Sequence, residues 1–413
     1  MASLRISPAL RSVGPSRAAR ASRRSAHDLV IQHRPDTKQA PSPVFKRGPP
    51  AGGRSAVSGH TVTVFGCTGF LGRYVVSKLA KAGTQVIVPY RDEDSKRFLR
   101  VMGDLGQIVP LEWDARNADQ IHECVRHSDT VYNLVGRDWE TRNFKYHDVN
   151  VKAAKLIAEV SAQSNVPRLI HVSHLNAAAD SPSELYRTKW EGERAVRDAF
   201  PEATIVRPGH LFGPEDWLLN DIAQWPIKYK LNHGNTRVMP VHVMDVAEAL
   251  TTMLTAPVTS TASTFVLPGP EAYTFQELLN LVEFFTMRKT PNFPTIPRPA
   301  MELIAKVLNK AIWWPTVSPD EITRKYLDDL GVDAHTYRAE AGRPSGWAAE
   351  EAPEPFVGVD GEPVKGFAEL DISPDLIEEH AQKYLRRFRS SATYDVPLET
   401  GHFKPTKKYH VVP

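Results

Sequence analysis

Thr61-Val62-Thr63-Val64-Phe65-Gly66-Cys67-Thr68-Gly69-Phe70-Leu71-Gly72-Arg73-Tyr74-Val75-Val76-Ser77-Lys78-Leu79 decides the fold. Its start is apolar and β-branched, and its end carries Leu71, Val75 and Leu79 at a spacing of four, with Arg73 and Lys78 off that stripe. This is a strand running directly into an amphipathic helix. Between the two stand Gly66, Gly69 and Gly72. Glycine lets backbone approach a diphosphate closely, and the free amides and dipole of the helix start favour its negative charge. Many turns contain glycines, but a triplet after a first strand, opening a helix and followed by a second strand, reads as a nucleotide-binding turn. Gly66, Thr68, Gly69, Phe70, Leu71 and Gly72 are therefore the candidate pyrophosphate residues. Cys67, inside the turn, is a small apolar filler.

Outward from this stretch the alternation of strand and helix continues. Strands are expected at 62–65, 85–88, 107–112, 130–134, 168–172 and 203–206, with helices between most of them. Short β-rich runs separated by helices predict an α/β fold, a Rossmann-type doubly wound parallel sheet covered on both faces. The expected organisation is a nucleotide-binding domain over 58–258 and a smaller, mostly helical α/β domain over 259–345. A tail over 346–413 is expected to lie along neighbouring chains rather than build a core of its own. Thr274 with Glu277 predicts a capping box opening the helix that follows.

The second strand ends in Pro89-Tyr90-Arg91. NAD-selective proteins place an acid about here for the ribose hydroxyl, whereas a guanidinium pairs with a 2′-phosphate. Arg91 thus favours the phosphorylated dinucleotide, and Arg73 in the first helical turn is a second candidate phosphate partner.

Composition bounds the rest. The chain has 413 residues, 41% of them hydrophobic, and a formal charge of +3. That charge misleads, because residues 1–54 hold eleven of the Lys and Arg and two acids. The remainder carries 40 basic against 46 acidic residues, a net of −6. Such a body offers no electrostatic reason to bind nucleic acid. Cys67 and Cys124 are too few for a disulfide framework, which favours a reducing compartment. Residues 1–27 contain six arginines, six serines and no acid, the chemistry of a mitochondrial transit peptide. Residues 28–57 read as an extended arm rich in Pro, Gly and Ser. The histidines have no spacing suited to zinc, so no metal is expected.

The glycine turn, Asp114 after the third strand, Asn133-Leu134-Val135-Gly136 after the fourth, Ser173 after the fifth and Arg207-Pro208 after the sixth resemble the extended short-chain dehydrogenase/reductase superfamily. Longer runs are more discriminating: Val64 to Tyr74, Val88-Pro89-Tyr90-Arg91, Trp113-Asp114-Ala115-Arg116, Gly136-Arg137-Asp138-Trp139-Glu140-Thr141 and His171-Val172-Ser173-His174-Leu175-Asn176. They resemble the 39 to 40 kDa accessory-subunit family of mitochondrial respiratory complex I, densely from about Ser55 to Asn220.

This resemblance implies a peripheral subunit on the matrix side of the inner membrane, touching other complex I subunits and holding NADPH tightly without turnover. It implies that the glycine turn takes the pyrophosphate, Arg91 the 2′-phosphate, and that Asp114 lies near the adenine. Leu134, Val135, Ser173, Lys189 and Pro208 complete the implied cofactor contacts. Val241-His242-Val243 and Asp245-Val246-Ala247 resemble the superfamily's return strand and helix, with Asp245 placed to cap 246–254.

Active members of the superfamily use a tyrosine as general acid or base, a lysine four residues later and a serine for the substrate oxygen. Ser173 and Lys189 match two of these, but Leu185 holds the tyrosine's place. Tyr186 is one residue out of register, which turns it about 100° around the helix axis. The expectation is a binding site with no catalytic residue. The rival is a mitochondrial NADP-dependent oxidoreductase or epimerase using Tyr186, Lys189 and Ser173. His174, beside Ser173, reads as a packed structural residue.

Over Ala300 to Trp314 a polar stripe of Glu302, Lys306, Asn309 and Lys310 leaves most of the circumference apolar. Core burial is the default reading of such a helix. A partner groove, or contact with inner-membrane lipid favoured by Trp313 and Trp314, is the alternative that the resemblance raises.

Overall fold

The computed structural model describes residues 58–141, 143–224, 230–255, 260–288, 295–311, 318–329 and 358–396. The expected transit peptide and arm, 346–357, 397–413, Trp313 and Trp314 lie outside the described residues.

Seven parallel strands form one sheet: β1 (Thr61–Phe65), β2 (Gln85–Tyr90), β3 (Ile108–Glu112), β4 (Thr130–Asn133), β5 (Arg168–Val172), β6 (Thr204–Pro208) and β7 (Thr264–Leu267). Their order is β3-β2-β1-β4-β5-β6-β7, so the winding direction reverses between β1 and β4. The register sets Val62 against Val86 on one side and Thr130 on the other. β4 stops one residue before Leu134 because the Asn133 side chain accepts the Val135 amide at 3.1 Å and turns the chain.

The helices divide between the two faces as the alternation predicts. On one face α1 (Phe70–Lys81) packs Leu71, Val75 and Leu79 against Val246, Leu250 and Met253 of α5 (Val243–Thr255). On the other lie α2 (Ala118–Val125), α3 (Ala154–Gln163) and α4 (Glu184–Ala199), burying Ile121, Ile157 and Val196. A six-residue π-helical turn, Asp148–Ala153, leads into α3. The junction between β1 and α1 is close-packed. A Cβ on Gly72 would stand 2.3 Å from the Gly66 carbonyl oxygen, and Gly66 itself has φ +82° with Leu134 backbone 2.8 Å from where its Cβ would be.

A second core joins Phe212, Leu219 and Ile222 to α6 (Phe275–Thr286) and α9 (Ile377–Leu385). Thr274 and Glu277 form the expected reciprocal capping box at the start of α6. Asp245 does not cap its helix: the strand Val241–His242 runs straight into α5 at Val243, so Asp245 falls within the first turn. Its carboxylate instead accepts the Asp375 amide at 2.6 Å.

Two expectations of organisation change. The sheet takes β7 from beyond 258, because its Thr264–Leu267 run pairs along β6 from Ile205 to Pro208. The segment 358–396 is part of the folded body rather than a tail without core. Phe367 and Leu370 enter the α1/α5 core, and Ile377, Ala381, Tyr384 and Leu385 enter the second. Lys365 pairs with the outer edge of β7 through its amide and carbonyl, at 3.0 and 2.8 Å.

Helix α7 (Arg298–Ala311) also differs from core burial on several sides. Met301 and Ala305 are buried with Leu231 and with Ile322 of α8 (Pro319–Arg324), but Leu303 is 64% exposed and Ile304 and Val307 are exposed as well. Among the described residues no helix is long and apolar enough to cross a membrane.

Overpacking a tight junction costs about 1–3 kcal/mol. Gly72→Ala should therefore lower the thermal midpoint by several degrees, and an unshifted melt would contradict the packing at this turn.

Candidate nucleotide site

The cleft lies at the carboxyl ends of the strands, where the winding reverses, as expected for ligand sites in open α/β sheets. A cavity of about 140 Å³ opens there. Its wall is formed by Gly66, Thr68 and Gly69 of the turn, Pro89 and Arg91 after β2, Trp113 and Ala115 after β3, Leu134 to Arg137 after β4, and Phe144, Asp148, Val149 and Ala153. Gly69 is the N-cap residue of α1, extended at φ −74° and ψ 177°, with no side chain to cover the first-turn amides. Those amides lack intrahelical acceptors and face the cleft as donors for an anion. Cys67 is fully buried, its thiol donating to the Pro89 carbonyl, and burial pushes its pKa up to about 12. It packs the turn, as expected of an unreactive thiol.

The expected cofactor residues separate into two groups. Gly66, Thr68, Gly69, Arg91, Leu134 and Val135 meet at the cavity. Phe70, Leu71 and Gly72 build the helix start behind it, Leu71 with its side chain in the core. Arg73 is turned aside, its guanidinium 4.8 Å from the Phe98 ring centroid and 3.8 Å from Glu215. Asp114 is exposed and spends its carboxylate on the Arg116 amide at 2.8 Å, while its neighbours Trp113 and Ala115 form the wall. Pro208, at the end of β6, accepts the Leu175 amide and is not on the cavity wall.

Ser173 and Lys189 also lie off the cavity wall. Ser173 is 5% exposed, and its hydroxyl has no hydrogen-bond partner among the described residues. Lys189 reaches from α4 toward the loop after β4, where a Cβ on Gly136 would stand 3.0 Å from its Nζ. Burial lowers the lysine pKa, opposed by the charges of Asp138 and Glu193. Leu185 is 2% exposed and packs with Tyr146 and Tyr186. Tyr186 stacks on His174 with centroids 4.7 Å apart, and burial raises its hydroxyl pKa above the ordinary tyrosine range. A phenol held neutral by burial is a poor source of protons near neutral pH.

Sequence reasoning quoted Arg137 within a motif but assigned it no role. It lines the cavity together with Arg91, and its place in the loop that follows β4 was the available signal. It also missed Asn150, buried in the π-helical turn and donating to Thr188 on α4 at 3.0 Å. A π turn has no clear sequence signature, and such turns recur at functional sites.

A histidine and carboxylate group invisible to linear spacing assembles beside Tyr186. Candidate ligand atoms of His174, His210 and Asp329 lie within 4.8 Å of one another, as do those of His242, Asp375 and His380. The His174 Nδ1 accepts the Asn176 amide at 3.1 Å, so the neutral ring carries its proton on Nε2 and serves as a donor. This supports a packed, hydrogen-bonded His174, now with a carboxylate nearby.

A model of the NAD dependent epimerase/dehydratase family matches residues 62–267. The NADH-ubiquinone oxidoreductase 40 kDa subunit, mitochondrial, of Neurospora crassa is 43% identical over 351 residues, spanning 84% of this chain and 85% of that protein. This chain belongs to the NADH-ubiquinone oxidoreductase 40 kDa subunit family. A second relative, the NADH dehydrogenase [ubiquinone] 1 alpha subcomplex subunit 9, mitochondrial, of Rattus norvegicus, is 39% identical over 328 residues, 78% of this chain and 82% of its own. Among solved structures, a UDP-glucuronic acid 4-epimerase from Bacillus cereus in complex with NAD superposes with a TM-score of 0.50 at 16% identity, over 64% of this chain and 96% of that one. That likeness shows the fold alone. This chain and that epimerase thus share a Rossmann-like α/β fold.

Asp329 is 1% exposed, and burial pushes its carboxyl up to about 7, only partly offset by the His210 amide. An unfolded aspartate titrates near 3.9. Between those values the folded chain holds a proton that the unfolded chain has released, so stability falls as pH rises through about 4 to 7 and then levels. Asp329→Asn should flatten that slope in thermal melts taken from pH 5 to 8, and parallel curves for both proteins would refute the assignment.

Proposed function

We propose that this chain is a non-catalytic accessory subunit of mitochondrial respiratory complex I that holds NADPH as a structural cofactor and supports assembly and stability of the complex. The observation that carries the reading is the combination of an intact phosphate cradle with Leu185 in the tyrosine's place. The glycines, the α1 amides and Arg91 fit a phosphorylated dinucleotide, and the backbone of Leu134 leaves no room for a Cβ on Gly66. When bound, NADPH would supply hydride chemistry. In this reading the residues around it bind and orient, with Leu185 where the phenol of active members would stand. The names of the relatives support the complex, and their mitochondrial designation supports the import leader proposed for residues 1–27.

In this reading Gly66, Thr68 and Gly69 hold the pyrophosphate with the α1 amides, and Arg91 takes the 2′-phosphate. Leu134, Val135 and Trp113 close the adenosine side. Ser173 and Lys189 face the ribose and nicotinamide end. The chain is peripheral to the inner membrane on the matrix side, near the membrane-arm junction, with neighbouring subunits as partners. The exposed Leu303, Ile304 and Val307 of α7 offer an apolar face for a subunit or lipid.

Bound nucleotide stabilises a fold by mass action, by about 2.7 kcal/mol at a hundredfold excess over Kd. Arg91→Glu should therefore release NADPH from the purified chain and lower its thermal midpoint by several degrees. Unchanged nucleotide content, assayed in the heat-released supernatant, would count against the proposal. Turnover of any carbonyl substrate that Tyr186→Phe abolishes would establish an oxidoreductase in its place.

A further inference from the structure

Strands β2 and β4 flank β1 on its two sides, so the chain ends that leave them straddle the glycine turn. Arg91 follows one and Arg137 the other, and both residues line the same cavity of about 140 Å³. Neither forms an ion pair with a described carboxylate. Asp148, the acid on that wall, is already engaged, accepting the Lys145 amide at 3.1 Å and pairing with Lys152 at 2.8 Å. Arg137 is partly buried, with its guanidinium 5.6 Å from the Trp139 ring centroid, which orients it without neutralising it. Burial, and then the charge of Arg91, depress its pKa. Arg91 is exposed and Arg137 partly buried, so two like charges share one cavity wall, and a ligand anion between them would replace solvent as their counter-charge.

A dinucleotide brings two kinds of phosphate. Each pyrophosphate unit carries a single charge, and the α1 amides and glycine backbone already provide its donors. A phosphate monoester carries about −1.5 to −2 near neutral pH, with three acceptor oxygens. That charge matches two guanidiniums, each able to bind in a two-pronged fork. We propose that Arg137 is a second specificity residue, which holds the 2′-phosphate of the dinucleotide together with Arg91. This inference rests on the proposed NADPH binding and assigns its selectivity to a pair of residues drawn from both sides of β1.

The test measures NADPH and NADH affinity by calorimetry on the full chain freed of nucleotide, and repeats both titrations for Arg137→Gln and Arg137→Lys. The unaltered chain reads the parent proposal: a preference for NADPH supports it, and failure to bind NADPH, or a preference for NADH, overturns it along with this inference. Given that preference, Arg137→Gln should weaken NADPH by about 10- to 100-fold and leave NADH unchanged, its retained NADH binding reporting an intact cleft. Arg137→Lys should fall between, since a lysine keeps the charge and loses the fork. Equal loss of both nucleotides would put Arg137 on the pyrophosphate or in the fold, and no loss of NADPH would leave it a bystander; either result overturns the assignment.

Discussion

The backbone of the turn between β1 and α1 passes so close to itself that a methyl group on Gly72 would sit inside the Gly66 carbonyl, and most of the molecule's organisation depends on that closeness. It lets α1 start directly above the end of β1, with its free amides at the point where the sheet reverses its winding. It also draws the exits of β2, β3 and β4 around one small cavity, so that residues distant in sequence share one wall. Space for side-chain atoms has been given up there in exchange for space where phosphate oxygens can approach amides.

Holding a nucleotide and reacting with it are separate tasks in this fold, assigned to separate elements. The cradle is built on β1 and α1, whereas the reactive hydroxyl of active relatives stands on α4. On that helix a shift of one residue moves a side chain by about a quarter turn. Leu185 and Tyr186 show the outcome: the leucine packs into a small cluster with Tyr146, and the tyrosine rests flat on His174 with its hydroxyl pKa raised by burial. Lys189 and Ser173 persist in place with no phenol between them. In the proposed reading this separation is what lets binding outlast chemistry.

Local rules made the central sheet readable. Six strands, the first helix and the α6 capping box follow from period, glycine placement and the Thr274/Glu277 pair, because each depends on neighbours a few residues away. The seventh strand was not legible, since Thr264–Leu267 is a strand only by virtue of its pairing with β6. Asp245 was misread because a cap depends on where the preceding strand stops, and that strand stops at His242. The site shows the same division. Arg91 could be read from its distance to the glycine turn and Arg137 from its place in the loop after β4, whereas Asn150 and the cluster of His174, His210 and Asp329 needed three dimensions. Asp114 and Arg73 were plausible by position, and the structure adds local partners for both, the Arg116 amide and the Phe98 ring.

The segment from Gly358 to Leu385 acts as a strap across the whole body. Asp360 and Glu362 pair with Arg197 of α4, Lys365 covers the bare edge of β7, Phe367 and Leu370 plug the α1/α5 layer, and α9 completes the second core. These residues follow the sheet in the chain and close it from outside. Without them the body would display an unpaired strand edge and two open apolar surfaces, the features that invite aggregation and chaperone capture. A truncation well outside the cleft would therefore leave the body half sealed.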